Sequence, residues 1–384
     1  MGLFGGYVII FLFAAGTTTA VMPFVLKLSR RRHWLALPGE RTVHTVPTPN
    51  IGGVAMLCGL AVALIVARQM DRFDRLFIGN SELVGVFVAA LIIALVGLRD
   101  DIREVSAPGR VAATIVSGLV LVWFGVTMFY FRLPFLGVFQ ISGDWVPIVT
   151  VLWLLVMTQA INLIDGLDGL AAGIVAIGSG AFFIYSWHLS DNGLLGEPNI
   201  GPLIAVITCG VCIGFLPFNF NPARIFMGDS GSYLLGLLMS VSTSVVGGRA
   251  DPSTQGFSGQ TYFFLAPLFI PLIILGVPIF DVLFAIVRRV SRGTGFATAD
   301  KGHLHHRLIN LGHGPRRAVV ILWAWTLLLS GFVLYPVFNP SANSIVTFGL
   351  FAIVLFLYTV LHPDLRIRRE RMRRDSEVIE SETK

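Results

Sequence analysis

Apolar residues fall into eleven runs of membrane-spanning length, at roughly 3–26, 51–67, 83–98, 111–131, 146–161, 170–188, 201–216, 232–248, 262–287, 318–336 and 343–361. The polar segments between them are too short to form a separate soluble domain. The pattern predicts an all-α polytopic membrane bundle of about eleven transmembrane helices. An integral membrane domain over 1–365 is followed by a charged tail over 366–384. Pro267, Pro271 and Pro278 predict a kink or break in the ninth run. Pro134, Gly137 and Gly143 suit a short hairpin in the segment 132–145.

Composition agrees with this reading. The chain of 384 residues is 55% hydrophobic and 13% charged, with a mean hydropathy of +0.78, outside the range of soluble domains. Cys58, Cys209 and Cys212 lie within apolar runs, which excludes a secreted disulfide scaffold and leaves the Cys209-x-x-Cys212 spacing to packing.

A net charge of +6 and a pI near 9.5 would suit nucleic-acid binding, but the positions of the charges point to topology. All of the 28 Lys and Arg residues except Arg68, Arg72, Arg75, Arg132 and Arg249 fall in alternate loops, at 27–50, 99–110, 217–231 and 288–317, or in the tail. The positive-inside rule makes those loops cytoplasmic, with the N-terminus outside and the C-terminus inside. The first run lacks a basic segment before it and precedes Lys27 and Arg30 to Arg32, as expected of a retained span. The arginines of 366–374 read as an anchor on anionic lipid.

The candidate chemistry gathers on that cytoplasmic side. Asp100 and Asp101 follow the third run, Asn162, Asp165 and Asp168 separate the fifth and sixth, and Asp229 precedes the eighth. His303, His305 and His306 lie in the long loop after the ninth. Taken singly, each has a structural alternative. Asp100 and Asp101 could be a solvated pair balanced by Arg99 and Arg103, and Asp165, Asp168 and Asp229 could cap helices, with Ser230 and Ser232 competing for the last cap. Taken together, clustered carboxylates need a compensating cation, and hard oxygen donors suit Mg²⁺ or Mn²⁺. Gly166 and Gly169 would let the backbone turn tightly and aim a helix N-terminus at phosphate. Arg288, Arg289, Arg292 and Lys301 with the three histidines make a surround for a diphosphate. Zinc is the competing reading for the histidines, although no HExxH motif or nearby cysteine supports it. Asp281, seven residues before Arg288, suits a structural pair as well as a functional role.

Three stretches carry a family resemblance: Asn162 to Gly173 (NLIDGLDGLAAG), Phe218 to Ser232 (FNFNPARIFMGDSGS) and Asp300 to Leu308 (DKGHLHHRL). With His44, Pro47-Thr48-Pro49 and Gly52-Gly53, they closely resemble the WecA/TagO/MraY family of polyprenyl-phosphate N-acetylhexosamine-1-phosphate transferases. His-Leu-His-His, and Asp100-Asp101 followed by Val105-Ser106, are similar to the WecA/TagO branch.

The resemblance implies transfer of N-acetylglucosamine 1-phosphate from a UDP-sugar to a polyprenyl phosphate, with release of UMP. It also implies Mg²⁺, a homodimer, and a cytoplasmic active site in a bacterial inner membrane. It assigns Asp100, Asp101, Asp165 and Asp168 to catalysis, with Asp100 and Asp101 facing the lipid phosphate. Asp229 becomes a metal ligand with Asn162 as a second, and Asn219, Phe226 and Asp168 lie near the uridine. Arg289, His303, His305 and His306 contact the diphosphate or sugar. The chain departs from the family pattern at Ala36, Asn50 and Thr294-Gly295, away from the central aspartates.

The nucleophile in such a transfer is a lipid phosphate oxygen. Its second pKa near 6 leaves about nine in ten groups dianionic at pH 7, so a strong general base is not required. Two rivals fit less well. The Asp-x-x-Asp-Gly-x-x-Ala-Arg motif of CDP-alcohol phosphotransferases is matched from Asp165 to Ala172 but ends at Gly173 instead of Arg. A transporter or flippase would place charge at mid-membrane, not at the ends of spans.

Overall fold

The computed structural model describes residues 3–36, 46–133, 137–196, 198–247, 314–339 and 346–359. Its helices are α1 (Leu3–Arg32), α2 (Gly53–Arg68), the short α3 (Asp74–Phe77), α4 (Glu82–Ile102), α5 (Ala107–Trp123) and α6 (Val146–Ile164). They continue with α7 (Leu170–Asp191), α8 (Gly201–Asn219), α9 (Gly228–Gly247), α10 (Pro315–Phe338) and α11 (Val346–Thr359). Two small antiparallel ribbons pair β1 (Leu35–Ala36) with β2 (Thr48–Pro49), and β3 (Tyr130–Leu133) with β4 (Gly137–Gln140).

Every apolar run within the described residues is helical over most of its length, and the ninth run, 262–287, lies outside them. Among the described residues, five helices, α1, α4, α6, α7 and α8, are long and apolar enough to cross a membrane. A sixth is reached if α2 and the segment Asp71–Phe77, bent by 96°, count as one broken span. The protein is therefore a multi-pass helical membrane protein.

The fourth run ends earlier than its hydropathy suggests. Instead of continuing to 131, α5 stops at Trp123, because Gly125 takes a left-handed φ of 88° and closes the helix. Val126 N–H donates to Leu121 C=O and Gly125 N–H to Val122 C=O, the two reversed bonds of a Schellman motif. Apolar residues then continue into the β3–β4 hairpin, which the turn residues of 132–145 had suggested.

The interior is built from α7, α8 and α9. Of the spanning windows, those in α7 and α8 are 72% buried, against 28% for α1. α8 packs on α7, α1 and α9, while α4 and α6 pack on α9 and α10 packs on α7. Lipid tails are as apolar as leucine, so helices in a bilayer associate through close packing and polar contacts rather than through hydrophobic burial. Gly236 on α9 provides one such approach: a Cβ there would lie 2.5 Å from Thr158 Cα on α6. Near it, Trp153 Nε1 donates to Thr243 Oγ1 at 2.9 Å, joining α6 to α9. Thr158, Ser179, Thr208, Ser242 and Thr243 satisfy their hydroxyls on carbonyls of their own helices, which keeps buried polar groups paired away from water.

The C-terminal ends of α4, α6 and α8 and the N-terminal ends of α5, α7, α9 and α10 touch one another at one end of the bundle. Antiparallel neighbours thus bring three loops distant in sequence, and the first turn of α10, onto one surface.

Candidate active site

The start of α9 is the hub. Gly228 has a φ of 69°, and a Cβ there would sit 2.0 Å from Asn50 O and 2.5 Å from both Asp101 carboxylate oxygens. Only glycine fits this conformation at this approach. The last turn of α4 delivers Asp101 to α9: Oδ1 accepts from Asp229 N at 2.8 Å, and Oδ2 accepts from Ser230 N at 3.1 Å and Ser230 Oγ at 2.8 Å. A carboxylate from another helix therefore caps α9 and meets its positive dipole end. The loop before α9 is fixed by Phe226 N–H donating to Pro49 O at 2.8 Å and by Gly52 N–H donating to Phe226 O at 3.0 Å. Asn50 Nδ2 donates to Asp101 O at 3.2 Å, and its Oδ1 is buried without a partner among the described residues.

Asp229, aligned by this cap, faces three helices. Asn162 Nδ2, in the last turn of α6, donates to Asp229 Oδ1 at 2.6 Å and to the buried Ser232 Oγ at 3.0 Å. Arg110, in the first turn of α5, lies with NH1 3.7 Å from Asp229 Oδ2 and 3.2 Å from Asp100 Oδ2. Asp100 also accepts from Val105 N–H, which folds the α4–α5 turn back over it.

The turn from Asp165 to Gly169 forms the opposite wall. The Asp165 carboxylate, just beyond α6, has no hydrogen-bond or ion-pair partner among the described residues. Burial first, and then the negative charges of Asp229, Asp101 and Asp168, push its pKa up to about 8. Asp168 Oδ2 accepts from Asn221 Nδ2 at 2.8 Å and Ala223 N at 3.0 Å, and Arg316 Nε donates to Asn221 O at 2.9 Å. Asn219 is fully buried, accepting from Gly169 N at 2.9 Å and donating to Ile225 O at 3.0 Å, so both ends of its amide hold backbone. Phe226 is half-buried.

The capping alternatives resolve against the local residues. α7 begins after Gly169, in the left-handed region, with no side-chain cap, so neither Asp165 nor Asp168 caps it. The cap of α9 comes from Asp101, not from Asp229. The structure thus brings together Asp100, Asp101, Asn162, Asp165, Asp168 and Asp229, with Asn219 behind them. His44, Asp281, Arg289, Lys301, His303, His305 and His306 lie outside the described residues. Sequence reasoning missed Arg110 and Asn221. Asn221 sits inside the conspicuous Phe218–Ser232 stretch, and Arg110 had been counted only as a topological charge.

The residues present fit a hard divalent cation. Asp165 has carboxylate oxygens without a partner among the described residues and a proton that burial, and then like charges, hold on it, and Asn162 spends only its Nδ2 on Asp229, leaving Oδ1 as a ligand atom. Among the described residues, no group of three His, Cys, Asp or Glu side chains is arranged to hold a metal ion. One or two carboxylates supplemented by substrate phosphate match the way Mg²⁺ is commonly held better than an all-protein cage does.

Comparison with known proteins follows the same residues. The glycosyl transferase family 4 model matches residues 83–247, which span α4 to α9 and every carboxylate above. Across 92% of this chain and 90% of its relative, the sequence is 36% identical to a decaprenyl-phosphate N-acetylglucosaminephosphotransferase of Mycobacterium leprae. The chain belongs to glycosyl transferase family 4. It is also 30% identical, over 92% of this chain and 90% of the relative, to a probable undecaprenyl-phosphate N-acetylglucosaminyl 1-phosphate transferase of Bacillus subtilis. A phospho-N-acetylmuramoyl-pentapeptide-transferase of the same organism is 31% identical over 75% of this chain and 83% of the relative. The family-4 match leaves Asn50 and Arg316 outside its bounds, although both touch residues of the matched region.

Proposed function

We propose that this protein transfers N-acetylglucosamine 1-phosphate from UDP-N-acetylglucosamine to a polyprenyl phosphate, releasing UMP at the cytoplasmic face of a bacterial inner membrane. The similarity to decaprenyl-phosphate N-acetylglucosaminephosphotransferase over nearly the whole chain carries this reading. The convergence of carboxylates at one end of the bundle supports it. The placement of basic loops supports eleven spans with the N-terminus outside, and the transferase works as a homodimer.

A lipid phosphate oxygen attacks the phosphorus next to the sugar, and the bond to UMP breaks with its electron pair leaving on UMP. Mg²⁺ (or Mn²⁺), held by Asp229 and Asp165 with Asn162 Oδ1, would neutralise the charge that builds on the leaving group. Asn162 orients Asp229 through its Nδ2. Asp100 and Arg110 lie where the lipid phosphate approaches, and the dianionic phosphate needs orientation more than deprotonation. Phe226 stacks on the uracil ring, with Asp168 and the Asn219-braced loop beside it. Arg289, His303, His305 and His306 complete the diphosphate side.

Asp101 is a positioning residue here, because both of its oxygens are committed to α9. Asp101→Asn keeps one acceptor but turns an amide NH2 toward donors. It lowers kcat about 10–100-fold, the range for partners that orient a site, with KM for the lipid unchanged. A raised lipid KM at unchanged kcat would instead assign Asp101 to phosphate binding.

The reading is tested by UMP release from purified protein with undecaprenyl or decaprenyl phosphate and Mg²⁺. Donors are UDP-N-acetylglucosamine, UDP-N-acetylgalactosamine and UDP-MurNAc-pentapeptide. UMP from the first alone is expected; UMP from another keeps the chemistry and changes the donor, and no UMP from folded protein with any donor ends the transferase reading.

A further inference from the structure

Arg110 has a place in this site that the α5 helix does not explain. It is the fourth residue of that helix, near the positive dipole end where a cation is disfavoured. Its backbone N–H is already satisfied by Ser106 O at 3.1 Å. Its side chain crosses to other elements, to Asp100 Oδ2 on α4 at 3.2 Å and toward Asp229 Oδ2 on α9 at 3.7 Å, with Tyr233, one turn along α9, beside it. The guanidinium is 34% exposed, while the Asp100 carboxylate is 6% and that of Asp229 25% exposed. A charge able to reach solvent is thus drawn onto two sheltered anions, and among the described residues it is the cation paired with them.

We propose that Arg110 is the resident counter-ion of the acidic site: it holds Asp100 and Asp229 together in the metal-free protein and competes with the divalent cation for Asp229. The inference rests on the metal-assisted transfer proposed above. Two like charges next to one carboxylate oxygen repel, so when a divalent cation binds, the guanidinium leaves Asp229. It remains tethered to Asp100 with free N–H donors, next to the arriving phosphate, for which a planar fork of donors is suited. Arg110 is therefore a competitor for the metal that becomes a phosphate-side donor once displaced. It also keeps clustered carboxylates from repelling one another between turnovers.

The test measures Mn²⁺ binding by electron paramagnetic resonance on full-length protein in detergent without substrates. Wild type, Arg110→Gln and Arg110→Lys are compared, with Asp229→Asn as a blank. Arg110→Gln is expected to bind Mn²⁺ at least fivefold more tightly than wild type, and Arg110→Lys, which keeps the charge, within twofold of it. Equal or weaker binding by Arg110→Gln overturns the proposal. A second measurement needs no variant: phenylglyoxal labelling of wild type, read by peptide mass, is expected to speed up severalfold at Arg110 when Mg²⁺ is added, relative to the exposed Arg224. An unchanged or slowed rate overturns the proposal even if Arg110→Gln does not fold. Failure of the transfer reading looks different: wild type then binds no Mn²⁺ and releases no UMP, and both ideas fall.

Discussion

Asp229→Asn lowers kcat by roughly 10³-fold or more at saturating substrates, since losing about 4 kcal/mol of charge stabilisation at the leaving group corresponds to that factor. The substitution is nearly isosteric, so the effect is one of chemistry. Oδ1 of Asp229 is held by Asn162 Nδ2 at 2.6 Å, and Oδ2 faces Arg110 at 3.7 Å. An amide places an NH2 group against one of these two donors and removes the negative charge that both address. Stability changes little, because the backbone N–H at 229 still donates to Asp101. The assay is UMP release at pH 7 alongside Mn²⁺ binding. A variant that keeps more than a tenth of wild-type kcat with normal Mn²⁺ affinity would remove Asp229 from the metal site.

Gly228→Ala has the next largest effect and acts through geometry. Alanine at a φ of 69° costs about 1–2 kcal/mol, and forcing its methyl into packed surroundings adds about 1–3 kcal/mol. The methyl would meet Asn50 O at 2.0 Å and the Asp101 carboxylate at 2.5 Å. One of those contacts is backbone, so the start of α9 must shift. The expected loss is about 2–5 kcal/mol of stability and at least 100-fold in kcat, because that shift carries Asp229 away from Asn162. Thermal unfolding in detergent and UMP release measure the two losses. A variant melting within 2 °C of wild type with near-normal kcat would show that the cap of α9 does not set the geometry of the site.

Much of the fold was legible in the chain. Runs of apolar residues long enough to span a bilayer leave the backbone no choice but to satisfy its own hydrogen bonds, so their helicity follows from hydropathy alone. The error at α5 shows the limit. Hydropathy continues past Trp123, but the left-handed Gly125 and its two reversed hydrogen bonds end the helix, and a backbone sign of φ is not readable from apolar content. The alternation of basic loops also placed the six acidic and amide groups on a common side, and they do meet at one end of the bundle.

The division of labour among those groups was not legible. Asp100 and Asp101 are neighbours of the same type, and nothing in their local sequence separates them. On a helix they point about 100° apart. That rotation turns Asp100 toward Arg110 on α5 and Asp101 into the first turn of α9. Asn219 likewise read as a ligand-facing amide, whereas the fold uses both of its ends to tie the start of α7 to the loop before α9.

The sequence by itself determined a multi-pass helical membrane protein, the family, and the set of polar residues able to carry chemistry. Those follow from local composition and from motifs contiguous along the chain. Only the tertiary structure decided which carboxylate caps a helix, which has no partner among the described residues, and which arginine bridges two acids. Each of those depends on contacts between residues as far apart as Asp101 and Asp229, and contacts at that separation are set by how helices pack, not by what flanks them in sequence.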